Sequence, residues 1–429
     1  MYSPEIVFED VFRIRELQEK KLQELMLYLA SHSVFYKERF AAYGINPSAI
    51  QALSDLQQIP VTTKEELQLR NWDFCCVPRT EIAEYMSSSG TLGAPVTIAL
   101  TENDLTRLAY NELNSFQLAG GSAADTYQLM LTLDRQFMAG IAYYMGIRKL
   151  GASLVRVGPG APFLQWATIQ RLSPTVIVAV PSFLVKLIEF AEANGIDLNT
   201  SSVKSAICIG ETIRLPDNTP NRLAKRIQKA WNITLYGTYA STEMQTAFTE
   251  CEAGSGGHLN PELLIVELLD ENNQPVAAGE PGEVTITTLG VEGMPLLRYK
   301  TGDICILQEA PCSCGRNSPR LSGVIGRRQQ MIKFKGTTLY PPAIYDLLNE
   351  IPAIRDYVIE LKRSEWDTDE VRLHLDIPEP SESLLTTIRE KLRSGLRVIP
   401  EILVTSAAEI QALQFPEGGR KPQKLIDHR

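Results

Sequence analysis

The hexapeptide Thr175-Val-Ile-Val-Ala-Val180 places the tightest constraint on the fold. It is of strand length and almost continuously apolar, as a strand covered on both faces must be; such strands belong to parallel sheets flanked by helices. Similar segments recur at Gln128-Leu-Met-Leu-Thr-Leu133, Ser153-Leu-Val-Arg-Val157, Ser205-Ala-Ile-Cys-Ile209 and Ile233-Thr-Leu-Tyr236, and helix-length stretches such as Pro181 to Asn194 separate them. Strand–helix alternation predicts an α/β sheet with crossover connections. Ahead of it, residues 11 to 43 read as helix, with Leu22, Leu25, Met26 and Leu29 at helical spacing. Val96 to Leu100 reads as a strand, and Thr101-Glu-Asn-Asp104 as the cap of a following helix. From about residue 258 the pattern shifts to short strands and turns, Leu264 to Glu267 and Gly282 to Thr288, which predicts a small β subdomain. Beyond the stretch Gly326 to Lys335, helices at Pro341 to Leu348 and Ser383 to Ser394 alternate with strands at Tyr357 to Leu361 and Val371 to Ile377. The expected organisation is a large α/β N-terminal domain with a β subdomain, residues 1–326, and a small α+β C-terminal domain, residues 327–429.

Charge and cysteine usage exclude several classes. A net charge of −9 argues against nucleic acid or an anionic membrane as main partner. No apolar run approaches the roughly 18 residues of a membrane-spanning helix. The first ten residues, Met1 to Asp10, lack a basic segment followed by an apolar one, so no signal peptide is expected. Seven scattered cysteines, an odd number, point to a reducing compartment and to thiol or metal chemistry instead of a disulfide framework. The expected location is cytoplasmic, and a homodimer is compatible with these features.

Met86-Ser-Ser-Ser-Gly-Thr-Leu-Gly-Ala-Pro-Val-Thr97 offers a row of backbone N–H groups and short hydroxyls, without the lysine pattern of a Walker loop. Its glycines permit close backbone approach and positive φ, so it can cradle an anion; taken alone, such a run is more often a plain turn. Four further stretches follow in order: Tyr239-Ala-Ser-Thr-Glu243, Tyr299-Lys-Thr-Gly-Asp303, Gly326-Arg-Arg-Gln-Gln-Met-Ile-Lys-Phe-Lys-Gly336, and Gly419-Arg-Lys-Pro-Gln-Lys-Leu-Ile-Asp-His-Arg429. With these five motifs the chain resembles the acyl-adenylate-forming superfamily, and within it the phenylacetate–CoA ligases and their relatives, from about Leu17 to Arg429.

The resemblance implies that a carboxylate attacks the α-phosphate of ATP, pyrophosphate leaves, and the thiol of coenzyme A takes the acyl group from the adenylate. Ser88, Ser89, Gly90, Thr91 and Gly93 match the phosphate loop, with Thr91 also a catalytic candidate; Ala94 stands where the family usually carries Lys. In the second motif, with Ala240 where the family has Gly and Ser241 beside it, Tyr239 would flank adenine and Thr242 would contact phosphate. Glu243 would hold Mg²⁺ as a hard oxygen ligand. Asp303 would accept hydrogen bonds from both ribose hydroxyls. Arg327 would contact ribose or phosphate at the hinge, where Gln329 and Gln330 replace the family's two aspartates. Lys335 and Gly336 would line the thiol channel, and Glu211 matches loosely a segment near adenine. Aligning the final hexapeptide gives Lys421 as the lysine that stabilises charge at the attacked phosphate; the alternative is a solvated basic tail with Arg420, Lys424 and Arg429.

Cys251, His258, Cys312 and Cys314 supply three thiolates and one imidazole, a set suited to a closed structural Zn²⁺ site; unpaired thiols are the alternative. Phe137, Met138, Ile141 and Tyr236 to Ala240 are candidates for the acyl pocket, although aromatic residues in such positions are more often core. The reading favoured is an ATP-dependent ligase joining a carboxylic acid, aryl or arylacetic, to CoA. Loading of a carrier protein and a catalytically weak nucleotide-binding protein are the alternatives.

Overall fold

The structure is a computed structural model that describes residues 2–88, 96–334, 337–363, 369–415 and 422–429. It divides into two compact units, Met1–Val324 and Ile325–Arg429.

The first unit opens with α1 (Val11–His32) and α2 (Val34–Tyr43). The sequence predicted one helix here. Ser33 interrupts it with extended backbone and its hydroxyl caps α2 by accepting from Tyr36 N–H, so one residue ends a helix and starts the next. A short α3 (Lys64–Leu69) follows, then the antiparallel hairpin β1 (Glu84–Ser87) and β2 (Thr97–Leu100), which brackets the glycine-rich loop. Thr101 and Asp104 form a reciprocal capping box that launches α4 (Glu102–Leu118).

Alternation then sets in: β3 (Thr126–Leu129), α5 (Met138–Leu150), β4 (Ser153–Arg156), α6 (Pro162–Leu172), β5 (Val176–Ala179), α7 (Pro181–Ala193), β6 (Ser205–Cys208), α8 (Arg222–Ala230) and β7 (Thr234–Ser241). The parallel strands lie in the order β4-β3-β5-β6-β7. β5 is buried at every position, and its side chains divide between two cores. Ile177 and Ala179 pack with Trp166, Leu184 and Ile227 of α6, α7 and α8. Val176 and Val178 pack with Phe116, Tyr143 and Ile147 of α4 and α5. An apolar run of this kind satisfies two helical layers at once, which is why alternation is absent from it.

The remaining strands are β8 (Thr246–Glu250), β9 (Gly257–His258), β10 (Leu264–Leu269), β11 (Pro281–Thr288), β12 (Tyr299–Gln308) and β13 (Arg320–Leu321). They run on from β7 without a break, in the order β7-β8-β9-β13-β12-β11-β10, with antiparallel pairing. The β region is therefore continuous with the parallel sheet. β7 joins them, pairing parallel to β6 through Thr234–Gly237 and antiparallel to β8 through Thr238–Ser241.

The second unit contains β14 (Gly326–Arg327), β15 (Ile332–Phe334), β16 (Thr337–Leu339), α9 (Pro341–Leu348), β17 (Asp356–Arg363), β18 (Asp369–Asp376), α10 (Glu382–Leu396), β19 (Glu401–Val404), α11 (Ala407–Gln414) and β20 (Leu425–Asp427). Its sheet has the order β19-β18-β17-β20, with a core of Ile344, Ile359, Leu373 and Ile388 among others. Among the described residues no helix is long and apolar enough to cross a membrane.

Candidate functional site

The motif Tyr239 to Glu243 begins in the antiparallel half of β7 and turns through Thr242–Gln245 into β8. Tyr239 is half-buried, its ring centroid 5.7 Å from that of Phe248, its partner on β8. Its hydroxyl donates to Asp303 Oδ2 at 2.9 Å and lies 3.4 Å from Thr301 Oγ1. Burial, reinforced by the Asp303 carboxylate, raises the phenol well above its ordinary value, so it remains a donor.

Asp303 reaches this position through an irregularity in β12. Thr285 of β11 faces Lys300, yet Glu283 faces Ile304, so Thr301, Gly302 and Asp303 are accommodated by a register shift. Gly302 has φ +81°, a conformation that favours glycine. Thr301 fixes the bulge: its hydroxyl donates to Val284 O at 2.9 Å and accepts from Asp303 N–H at 3.2 Å. The Thr-Gly-Asp order is thus explained by backbone geometry, and its result is a buried carboxylate with one oxygen held by Tyr239.

Glu243 is buried, and among the described residues it makes no hydrogen bond or ion pair. Neither of its carboxylate oxygens is closed off from solvent without a partner, and a carboxylate is a fitting hard ligand for Mg²⁺. Its turn is anchored by Arg107, a residue the sequence reading passed over. The wholly buried guanidinium donates to Gln245 O, Leu289 O and Leu263 O at 2.8, 2.8 and 2.6 Å. Burial pushes this arginine down to about 10, so it stays charged near neutrality. Ser241 Oγ accepts from Met244 N–H, Thr242 is half-buried and Ala240 is exposed. Ser88 closes the β1–β2 hairpin, its hydroxyl accepting from Val96 N–H at 3.1 Å.

The remaining expected residues make other contacts, belong to the second unit or lie outside the described residues. Glu211 is exposed and accepts from Ser182 N–H and Oγ at 2.8 and 2.9 Å, which caps the start of α7. Arg327 is exposed and belongs to the second unit. Ser89, Gly90, Thr91, Gly93, Ala94, Lys335, Gly336 and Lys421 lie outside the described residues. Of the acyl-pocket candidates, Met138 is core and Phe137 is exposed at the start of α5.

The cysteine–histidine set does come together. The ligand atoms of Cys251, His258, Cys312 and Cys314 all lie within 4.8 Å of one another. Cys251 Sγ is 3.7 Å from Cys312 Sγ, and Cys314 Sγ is 3.6 Å from His258 Nε2. A tetrahedral Zn²⁺ with ordinary bond lengths sets S···S and S···N edges of about 3.8 and about 3.6 Å, so the donors fit that ion. Burial, with Arg316 and Arg320 nearby, pushes His258 down to about 3 and leaves the imidazole neutral, as a ligand must be. Ser318 Oγ lies 3.4 Å from its other ring nitrogen. Arg316 donates to Cys314 Sγ at 3.5 Å, a cation beside a set that carries one net negative charge when three thiolates hold a divalent ion. Its guanidinium also stands 4.8 Å over the Phe8 ring.

A second supporting pair links the two regions. Arg214 bonds both carboxylate oxygens of Glu250, Nε to Oε1 and Nη2 to Oε2, each at 2.9 Å. Gly237 N–H donates to the same Glu250 Oε2 at 3.1 Å. Glu250 precedes Cys251, so β7, β8 and the first thiol are held together. The partners are 36 residues apart, which is why local reading could not find them.

Comparison with known proteins gives a consistent result. A family model described as AMP-binding enzyme matches residues 43–293, more than half of the chain. The phenylacetate-coenzyme A ligase of Thermus thermophilus is 29% identical, over 89% of this chain and 85% of its own length. That of Escherichia coli is 25% identical, over 98% and 96%. Among solved structures, a 2-hydroxyisobutyryl-CoA ligase in the postadenylation state superposes with TM-score 0.84 at 22% identity, covering 99% of this chain and 92% of that one.

Proposed function

Because the chain belongs to the AMP-binding enzyme family, we propose that it is an ATP-dependent carboxylic acid–CoA ligase that works through an acyl-adenylate. The relatives matched over most of their length are phenylacetate-coenzyme A ligases, which favours an aryl or arylacetic acid as substrate and free CoA over a carrier protein as acceptor. The observation that carries the reading is the bulge of β12, which presents the buried Asp303 carboxylate with one oxygen oriented by the Tyr239 hydroxyl.

The chain's own groups divide the work. Tyr239 orients Asp303, and Asp303 holds the ribose of ATP. Glu243 would bind Mg²⁺, which supplies charge neutralisation at the phosphates, and Thr242 lies beside it on the same turn. The backbone of the glycine-rich stretch after Ser88 would receive phosphate oxygens. Lys421 would oppose the charge that develops on the α-phosphate as the acid attacks. In this reading residues 1–326 form the adenylating domain and 327–429 a mobile domain whose rotation exchanges adenylation for thioester formation. Cys251, His258, Cys312 and Cys314 would hold a structural Zn²⁺. With four protein ligands such a site has no open position, so its contribution is to fix the Cys312–Cys314 loop against β8 and β9.

The test is acid-dependent ATP–pyrophosphate exchange over a panel of aryl and alkyl acids, followed by thioester formation with free CoA. Exchange with at least one acid and a CoA thioester as product are expected. No exchange with any acid would leave a nucleotide-binding protein without ligase activity, and exchange without a CoA thioester would return the carrier protein as acceptor.

A further inference from the structure

The loop that carries Cys312 and Cys314 also grips the start of the chain. It folds back tightly: Cys312 N–H donates to Arg316 O and Gly315 N–H to Cys312 O, each at 2.9 Å, with Gly315 at φ +87°. The residues that follow reach the N-terminal segment. Asn317 N–H donates to Val7 O at 2.7 Å, and its side-chain Nδ2 donates to Phe8 O at 3.1 Å and to Glu9 O at 3.0 Å. Arg316 spans the same gap. Its Nη1 donates to Cys314 Sγ at 3.5 Å, while the guanidinium stands 4.8 Å over the Phe8 ring. Ser318 comes next, its hydroxyl 3.4 Å from His258 Nδ1. One short run of chain therefore supplies two candidate metal ligands, a neighbour of a third, and the grip on residues 7–9.

Residues 2–9 have little else to hold them. Pro4–Phe8 form a short 3-10 helix with no buried residue, so apolar burial adds little to its docking. Besides the Asn317 bonds, Ser3 N–H donates to Glu262 Oε2 at 2.8 Å, and the Tyr2 ring stacks 4.0 Å from that of Tyr110. The segment also has a defined end. Asp10 caps α1 by accepting from Phe12 and Arg13 N–H, and Gln18 anchors that helix in the interior by donating to Leu264 O at 3.0 Å. Residues 2–9 can leave the surface without unwinding α1.

We propose that residues 2–9 are a strap whose docking is conditional on a metal ion held by Cys251, His258, Cys312 and Cys314. With the ion bound, Cys312 and Cys314 are tied to Cys251 at the end of β8 and to His258 on β9, and Asn317 stands where its three bonds reach. Without it the loop keeps its internal turn and loses that tie. The three bonds then fail together, because they need one backbone N–H and one side chain placed at once. Arg316 adds to the coupling, since the net negative charge of three thiolates around a divalent ion holds the guanidinium between Cys314 and Phe8. Metal supply thereby switches the strap between docked and released, and release uncovers the Tyr110 ring and the Glu262 carboxylate. The inference rests on the zinc reading above.

The experiment follows hydrogen exchange in the full-length, zinc-loaded protein, then after EDTA removes the metal, and again after Zn²⁺ is returned. The amides of residues 3–9, where Ile6 and Glu9 N–H close the 3-10 turns, and the amide of Asn317 should exchange about tenfold faster or more without metal and recover with it. Exchange in α1 and α7 should stay unchanged. Asn317→Ala should still bind about one equivalent of zinc, yet exchange fast at 3–9 with the metal in place, which separates the grip from the site. Exchange at 3–9 that ignores the metal, slow exchange there in zinc-loaded Asn317→Ala, or an acceleration that spreads through the first unit would each overturn the strap while the zinc site stands. A protein that takes up no Zn²⁺ refutes the site itself, and the conditional docking falls with it.

Discussion

Tyr239 and Asp303 sit on strands that are not neighbours in the sheet, yet the tyrosine hydroxyl donates to Asp303 Oδ2 at 2.9 Å. The bond fixes the direction of the Asp303 carboxylate. Asp303→Ala should weaken ATP binding by roughly 2–4 kcal/mol, since a ligand loses an ionised acceptor and the Tyr239 hydroxyl keeps only the long bond to Thr301 Oγ1. Tyr239→Phe should cost about 1 kcal/mol, because it removes orientation and not the acceptor. Titration calorimetry with ATP reads both; equal affinities for wild type and Asp303→Ala would reduce the bulge to a structural turn.

The thiol cluster predicts a metal content. Purified protein should hold about one equivalent of zinc, and Cys312→Ser or Cys314→Ser should lose it. Chelator should lower the melting temperature of wild type and leave that of the Cys314→Ser variant unmoved, because binding to the native state alone stabilises it. A wild-type chain free of metal, whose melting ignores chelator, would refute the site.

Much of this architecture was legible because the responsible signals are local. The continuous apolar run at Thr175 to Val180 identifies a strand covered twice, and the capping box at Thr101 and Asp104 marks a helix start within one residue. The cysteines and His258 could be grouped because few residue types bind a metal. What escaped the sequence depends on long-range pairing. Arg107 bonds carbonyls 138 to 182 residues away, and Arg214 finds Glu250 across two strands. The pairing of Tyr239 with Phe248 on β8 likewise depends on strand register. The role of Gly302 required the register of β11 against β12.

Glu112 makes stability depend on pH. It lies buried on α4 where Gly146 of α5 approaches so closely that an added Cβ would stand 2.6 Å from the Glu112 Cβ. One carboxylate oxygen accepts from Asn111, and the other has no partner among the described residues. Burial raises its carboxyl from 4.5 to about 7, against the hydrogen bonds of Asn111 and Ser115. The folded state then binds the proton more tightly than the unfolded chain does, so stability falls as pH rises from about 4.5 through 7 and levels off above, by about 3 kcal/mol in all. Glu112→Gln should remove that component, narrowing the difference in melting temperature between pH 5 and pH 8. A variant whose melting keeps the wild-type pH dependence would exclude Glu112 as its source.

The two lysines near the end of the chain make opposite predictions. Lys424 Nζ stands 4.3 Å over the ring of Tyr357 and 3.8 Å from Asp356 Oδ1, and its carbonyl accepts from Ile359 N–H. Its charge is engaged along β17, and drawing it away would forfeit both contacts. Lys421 is the residue that alignment of the final hexapeptide assigns to the attacked phosphate. Lys421→Ala should therefore slow adenylate formation by roughly 10²–10³, a loss of about 3–4 kcal/mol in the stabilisation of developing charge. Thioester transfer from supplied acyl-adenylate should persist. Lys424→Ala should lose a partly exposed ion pair and a cation–π contact, a change of about 1 kcal/mol or less in stability, and should leave both half-reactions near wild type. Measuring the half-reactions separately for the two alanine variants decides the register. An adenylation defect in Lys424→Ala instead would move the catalytic assignment by three residues, and intact adenylation in both would reduce this stretch to a solvated charge run.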